Sequence, residues 1–391
     1  MTLNLDKTGW KRVAFGDVVR NVNTTVKDPA AAGLDRVIAM EHLDPGELKI
    51  TRWGDIADGT TFTRRVTPRQ TLFGKRRAYQ RKAAYAEFDA ICSGDILTFE
   101  ADPGHLLAEF LPFIVQSDGF YDHALGTSAG SLSPRTNWRD LSNYEFDLPP
   151  LDEQQRIADL MWALERHRKA MADSYERWST LRSVHLNERI DAIATQSGAV
   201  PLAELIAEGR PITYGILMPG SGHPGGIPVV KVRDYPRGVI DEEGLLLTTP
   251  ELAHEYRRST LAEGDLLISI RGTVGRLAEV PSSLEGANIT QDTARLSVSL
   301  EHDRQYVRLV LESDFAQAQI RRQTTGLAVK GLNIGALRQL EIPIPFDKEH
   351  ENALVEESRH LAAVGHRVAS SLNALASLRS SLLADIFGGA A

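Results

Sequence analysis

Twice in this chain a short strand pattern closes on prolines and hands over to a long apolar stripe at helical spacing. Few architectures accommodate that. The two closing segments are Tyr144-Glu145-Phe146-Asp147-Leu148-Pro149-Pro150 and Leu340-Glu341-Ile342-Pro343-Ile344-Pro345. Proline removes a ladder donor and so ends a strand. After the first pair, Asp152 is placed to cap a helix, and Glu153 lies in its first turn, where negative charge suits the dipole. Apolar residues then recur at every seventh position, at Ile157, Leu164, Met171 and Trp178, with Leu160, Tyr175 and Leu181 filling intermediate turns. His167 and His185 interrupt this stripe. After Pro345 a more regular one runs through Leu354, Leu361, Val368, Leu375 and Leu382, joined by Val364, Leu372, Leu378 and Ile386, and it ends at Phe387-Gly388-Gly389, where glycine can stop a helix. Both stripes carry the same late signature, Leu181-Arg182-Ser183 and Leu378-Arg379-Ser380.

A helix from about Asp152 to Ala194 would be roughly 65 Å long at about 1.5 Å rise per residue. Left alone, its apolar stripe would be sticky and poorly stable, so the two stripes most economically bury each other as an antiparallel coiled coil. The alternatives are that each helix folds back on its own globular body or that either breaks into a short helical hairpin. The expected class is α+β, with two globular mixed bodies and two long helices: residues 1–150, the helix 151–197, residues 198–346 and the helix 347–391. Strand-like runs mark both bodies, among them Arg36–Met40, Ile96–Phe99, Ile227–Val232 and Leu266–Ile270, and Asp303 to Gln323 reads as helical. The bodies also resemble each other. Gly94-Asp95-Ile96-Leu97 reads like Gly264-Asp265-Leu266-Leu267, and Gly130 precedes Pro149 by the same distance as Gly326 precedes Pro345.

With a formal charge of −8, 42% hydrophobic and 25% charged residues, the chain has an ordinary globular composition. No apolar run approaches the roughly 18 residues needed to cross a bilayer, and the N-terminus lacks a signal-peptide core, so no membrane partner and a cytoplasmic location are expected. The single Cys92 argues against disulfides and thiolate zinc. The charge is unevenly spread. Between Thr60 and Ala86 stand Arg64, Arg65, Arg69, Lys75, Arg76, Arg77, Arg81 and Lys82, with no acid among them and with Phe62, Phe73, Tyr79 and Tyr85 interleaved. Such a cluster is what phosphate binding needs, although a solvated surface looks the same. The second body carries weaker versions. Lys231, Arg233, Tyr235 and Arg237 follow a strand, Arg271 and Arg276 flank Gly272-Thr273-Val274-Gly275, and Arg321, Arg322 and Lys330 surround Gly326. Asn288, Thr290 and Gln291 are polar residues able to read base edges, or simply turn residues.

Catalytic signatures are scarce. Gly220, Gly222 and Gly225 match the dinucleotide pattern but contain Pro224 and lead into a strand-like run, where that site needs a helix N-terminus. There is no phosphate loop, no amino-methyltransferase tetrapeptide, and no metal-like spacing among His42, His105, His123, His223 and His254. No metal site and no catalytic residue is expected. A binding and scaffolding role fits such a chain better than an enzyme, with a coiled-coil scaffold and a stand-alone nucleic-acid enzyme with a dispersed site left as alternatives.

The stretch Leu148-Pro149-Pro150-Leu151-Asp152-Glu153-Gln154-Gln155-Arg156-Ile157-Ala158 resembles the central region of specificity subunits of Type I restriction–modification systems. The Gly-Asp motifs, Gly272 to Arg276 and the C-terminal Leu-Arg-Ser-Ser-Leu-Leu run resemble that family too, so the likeness covers essentially the whole chain. It implies target-recognition bodies that each read half of a bipartite, asymmetric site in double-stranded DNA. It implies helices that act as a spacer, and no catalysis or cofactor binding by the chain itself. The partners it implies are two methyltransferase subunits, which modify adenine with S-adenosylmethionine, and restriction subunits using ATP and Mg. Partner docking would fall on Glu153, Gln154 and Arg156, and DNA contact on the residues from Arg64 to Lys82, including Tyr79, together with Lys231, Arg233, Arg271, Thr273, Arg276 and Lys330. One departure is that Pro345-Phe346-Asp347-Lys348-Glu349-His350 does not repeat the Glu-Gln signature, which puts equivalent docking of the two methyltransferase subunits in doubt.

Overall fold

A computed structural model describes residues 6–130, 133–326 and 330–388. The chain forms two compact units, Met1–Ser174 with Val368–Ala391, and Tyr175–Arg367. Each unit therefore takes one body and a share of two long helices. Gly389, expected to help stop the last helix, lies outside the described residues.

In the first unit the strands are β1 (Val19–Val22), β2 (Arg36–Ile38), β3 (Gly54–Asp55), β4 (Arg64–Val66), β5 (Thr71–Gly74), β6 (Ala83–Tyr85), β7 (Ala90–Cys92) and β8 (Ile96–Ala101). They build an antiparallel sheet in the order β1-β8-β5-β6 and a mixed sheet in the order β3-β2-β7-β4, in which β2 and β7 are parallel. The second unit has β9 (Thr213–Tyr214), β10 (Ile227–Val230), β11 (Leu246–Thr248), β12 (Leu266–Ser269), β13 (Leu277–Glu279), β14 (Asn288–Ile289) and β15 (Thr293–Leu296). Its sheets run β9-β15-β12-β13 and β11-β10-β14, again with one parallel pair, β10 and β14. Apart from β4, which has no counterpart among the described residues of the second unit, the strands follow the same topology, so the two bodies are structural repeats.

Register shows which residues correspond. Thr71 faces Tyr85 on one side and Phe99 on the other, while Leu266 faces Glu279 and Leu296. β5 is thus the counterpart of β12, and β8 that of β15. This corrects the match between Gly94–Leu97 and Gly264–Leu267, which lead into non-equivalent strands. The position equivalent to Gly264 (φ 81) is Arg69 (φ 73), and in both turns the next side chain accepts a backbone N–H, Gln70 from Thr67 at 3.0 Å and Asp265 from Ala262 at 2.8 Å. A Gly-Asp turn before an apolar run is a local device that any strand can use, so it does not mark a place in a sheet. Holding a non-glycine residue in the left-handed region costs Arg69 roughly 1 kcal/mol, which the flanking ladder must offset. The other match holds, since Gly130 (φ 110) and Gly326 (φ 112) occupy equivalent loops, closed by the bridges Ala129–Arg135 and Thr325–Gly331.

The proline-terminated segments are strands, as the sequence implies. Glu145–Leu148 pairs with Lys11–Ala14, and Glu341–Pro343 pairs with Ala199–Pro201, which brings the two ends of each body together where a long helix meets it. Between the last sheet strands and these ribbons lie short helices, α1 (Leu111–Val115) and α2 (Asp118–Gly126) in the first unit, α4 (Arg304–Glu312) and α5 (Asp314–Gln323) in the second. The long helices are α3 (Leu151–Ser197) and α6 (Lys348–Phe387). In the first unit, Ile157 and Met161 of α3 and Leu382, Leu383 and Ile386 of α6 join a core built on Phe15, Phe73, Phe99, Phe113 and Phe120. In the second, Leu186, Ile190, Leu354 and Val355 close an aliphatic core that includes Leu266, Ile268, Val310 and Ile320.

The helices run antiparallel within each unit. Arg379 pairs with Glu165 in the first, while in the second Trp178 packs on Gly365 and His185 bonds Glu357 at 2.6 Å. His185, an interruption in the stripe, is thereby given a carboxylate partner on the facing helix. The apolar seam is broader than the heptad positions suggest, because Ala158 and Met161 are buried while Leu160 and Leu181 are exposed. Among the described residues no helix is long and apolar enough to cross a membrane, and no group of three or more His, Cys, Asp or Glu side chains could hold a metal ion.

Candidate nucleic-acid interface

In each unit the central antiparallel strand runs into a β-hairpin loop, 75–82 between β5 and β6 and 270–276 between β12 and β13. The loops are built alike. The arginine two residues beyond the strand bridges the neighbouring loop, Arg76 to Arg135 and Arg271 to Gly331. The following residue is left-handed, Arg77 at φ 57 and Gly272 at φ 73, and its N–H donates to that same neighbouring loop, to Pro134 O at 2.8 Å and Lys330 O at 3.0 Å. The loop's far end is tied down in the same way twice. Lys82 Nζ donates to Met40 O at 2.7 Å and Arg276 to Val232 O at 3.3 Å, each carbonyl lying in the 3-10 turn after the parallel strand. These two cations anchor their hairpins.

The basic run of the first unit contains no acid, but folding supplies several. Arg65 pairs with Asp89 at 3.0 Å, Arg69 with Glu109 at 3.1 Å, and Arg81 with Asp118 while lying 4.7 Å over the Tyr121 ring. Arg64 donates to Ile96 O. Arg76 donates to Ser133 Oγ at 2.6 Å, and Asp95 lies 3.7 Å from Arg76 and 3.3 Å from Arg135. No hydrogen bond or ion pair is found for the side chains of Lys75, Arg77 or Tyr79 among the described residues. Burial pushes the Lys75 ammonium below its usual range, and Arg64 and Arg135 push it the same way against Asp95. A lysine destabilised by two arginines favours an incoming anion, which would relieve it. Of the interleaved aromatics only Tyr79 faces outward; Phe73 is core, and Tyr85 packs on Trp162 and bonds Glu109.

In the second unit, Arg271 donates to Gln291 Oε1 at 2.8 Å, so two side chains able to read bases share one spot. Thr273 and Lys330 are exposed on the hairpin and its neighbouring loop, while Arg233 is exposed beside Asp234 at 3.4 Å. Lys231 begins the 3-10 turn with its N–H on Asp234. Two polar candidates are corrected. Asn288 is 1% exposed and holds Ser259 and Tyr256 O, and Thr290 is 6% exposed, so neither can reach a base edge. Tyr235 is likewise buried, bonding Thr293 at 2.9 Å. The loop at Gly220, Gly222 and Gly225 leads into β10 and not into a helix, as expected.

At the start of α3, Glu153 and Arg156 form an exposed pair at 2.6 Å. Gln154 is different. It is fully buried, accepting from Leu107 N–H at 2.9 Å and donating to His105 O and Pro149 O at 2.9 and 2.8 Å, so it locks the helix to its own body and has no surface to offer a partner. The start of α6 uses another lock: Glu351, 4% exposed, accepts from Asp303 N–H, while His350 stays outside on Asp347. The missing Glu-Gln signature thus corresponds to a different way of fastening the helix.

A tandem pair of α+β bodies, each displaying a tied-down basic hairpin and each closed by two long helices, defines a class of two-unit repeat protein. Residues 61–172 match the family described as the Type I restriction modification DNA specificity domain. The chain is 25% identical over 310 residues to the Type I restriction enzyme EcoBI specificity subunit of Escherichia coli, covering 69% of this chain and 65% of that protein. It is 27% identical over 150 residues to the EcoDI specificity subunit of the same organism, covering 38% of this chain and 33% of that one. Among solved structures, a chain of a type I R-M system superposes with a TM-score of 0.64 at 20% identity, covering 97% and 98% of the two chains. The Type-I restriction-modification system S subunit from M. genitalium gives 0.57 at 14% identity, covering 100% and 99%. Residues 61–172 thus match the specificity-domain family, and over nearly its whole length the chain shares the fold of these solved chains.

Proposed function

We propose that this chain is the DNA-reading subunit of a Type I restriction–modification complex, directing partner adenine methyltransferase and restriction subunits to a bipartite, asymmetric duplex target. The recognition bodies are residues 1–150 and 198–346, and the helices 151–197 and 347–391 connect them. Each hairpin addresses one half-site. The observation that carries the reading is the duplicated hairpin, entered and anchored alike but carrying different side chains, Lys75-Arg76-Arg77 against Ile270-Arg271-Gly272. One scaffold presenting two chemistries is what reading two unlike half-sites requires. In the first body, Lys75, Arg76, Arg77 and Arg135 supply phosphate contact; in the second, Arg271 and Gln291 supply base contact with Thr273 and Lys330 beside them. The exposed Glu153–Arg156 pair is the part of the helix start open to a methyltransferase subunit. Catalysis, with S-adenosylmethionine, ATP and Mg, belongs to the partners, and the complex works in the cytoplasm.

The test is selection from a randomised duplex pool by the chain assembled with its methyltransferase subunits. Enrichment of two unlike half-sites at a set spacing, with affinity falling steeply with salt, is expected. Salt-independent binding, or no enriched motif, overturns the reading.

A further inference from the structure

The second unit has a surface that the hairpin does not account for, on the turn after β9. Met218 is 84% exposed, with Leu217 at 47% and Tyr214 at 45%. Single exposed apolar side chains are ordinary, but these three fall within five residues, Tyr214 at the end of β9 and Leu217 and Met218 in the turn after it. Nor is the turn loose. Gly215 N–H donates to Thr290 O at 3.2 Å and Ile216 N–H to Ile289 O at 2.8 Å, while Gln291 N–H donates to Ile216 O at 3.0 Å. Beyond them, Leu217 O accepts from Gln291 Nε2 at 3.4 Å and Pro219 O from Thr248 Oγ1 at 3.2 Å. The backbone lies so close that a Cβ on Gly215 would sit 1.9 Å from Ile289 O. Met218 is therefore held out at the centre of a pinned turn.

The amide of Gln291 ties this turn to the hairpin: its Nε2 holds Leu217 O, and its Oε1 takes the Arg271 guanidinium. An apolar tip thus sits beside two side chains of the types that read guanine and adenine edges. The apolar feature on a base edge is the thymine C5 methyl, and apolar side chains read it by contact. The first body has no counterpart, since the chain after β1 continues Asn23-Thr24-Thr25.

We propose that Met218, supported by Leu217, contacts a thymine methyl next to the base pair addressed by Arg271 and Gln291, making Gly215–Pro219 a specificity determinant of the second half-site alone. This rests on the DNA-reading function above. The experiment compares the wild-type complex with its Met218→Ala variant on the duplex the wild type selects, with each thymine replaced in turn by deoxyuridine. Wild type should lose roughly four-fold in affinity at one thymine of the second half-site, the worth of one buried methyl. M218A should bind both duplexes alike, with unchanged thermal unfolding and unchanged preference in the first half-site. A wild type indifferent to every deoxyuridine overturns the inference, and so does a variant that keeps the penalty. A variant that fails to assemble with the methyltransferase while keeping its base preference assigns the tip to a protein partner and also overturns it. If the wild type selects no bipartite duplex at all, the DNA-reading function itself fails.

Discussion

Replacing Arg379 by Met tests how the hairpin of the first unit is tied to the helices. Arg379 is 15% exposed and Glu165 6%; the guanidinium donates to Glu165 and to Gln116 Oε1. Arg168 holds the same carboxylate at 3.1 Å and reaches Glu47 at 2.6 Å, while Gln116 Nε2 grips Ala83 O at 2.9 Å, in the strand after the basic loop. Stripping a buried ion of its only partner costs roughly 3–5 kcal/mol. Glu165 keeps Arg168, so its share falls to about 2 kcal/mol, and the Gln116 oxygen left without a donor adds about 1 kcal/mol. A total near 3 kcal/mol corresponds to a fall of about 6–12 °C in Tm for a unit of this size. Calorimetry on R379M should show it. Pairing R379M with Glu165→Gln should recover part of the loss, with a coupling of about 1 kcal/mol or more. Equal Tm values for wild type and R379M, or strict additivity in the double variant, would refute the reasoning.

Other outcomes follow from the same geometry. Arg77→Ala should lower the salt slope of DNA affinity by about 0.9, one phosphate's worth, whereas Lys82→Ala should loosen the hairpin with little change in slope; band-shift titrations over salt distinguish them. Gly365→Ala should destabilise the second unit even though alanine favours a helix by about 1 kcal/mol, because its Cβ would lie 2.4 Å from the Trp178 ring; urea unfolding should show a net loss of about 1 kcal/mol. Burial pushes the Cys92 thiol up to about 12, so iodoacetamide at pH 8 should leave the native protein unlabelled and modify it fully in denaturant.

The long helices were legible in the sequence because burial at a helical period repeats over many turns, and their antiparallel pairing followed from two stripes needing cover. The α+β character of the bodies and the repeat itself were legible too, but its alignment was only half so. Gly130 and Gly326 match because a left-handed loop demands glycine there, whereas Gly94 and Gly264 match by chance of local turn chemistry, and only strand register exposes Arg69 as the true partner of Gly264. The charged run was visible as composition, yet its neutralisation was not, since Asp89, Asp95, Glu109 and Asp118 arrive from outside it through tertiary contacts. Gln154 and Asn288 look like surface chemistry in a string of letters and prove to be buried fasteners, and Lys82 and Arg276 turn out to anchor their hairpins. Periodicity and backbone demands are local and so are written along the chain. Which side chains are spent on holding the fold, and which remain free to meet a ligand, depends on neighbours distant in sequence, and only the folded protein brings those neighbours together.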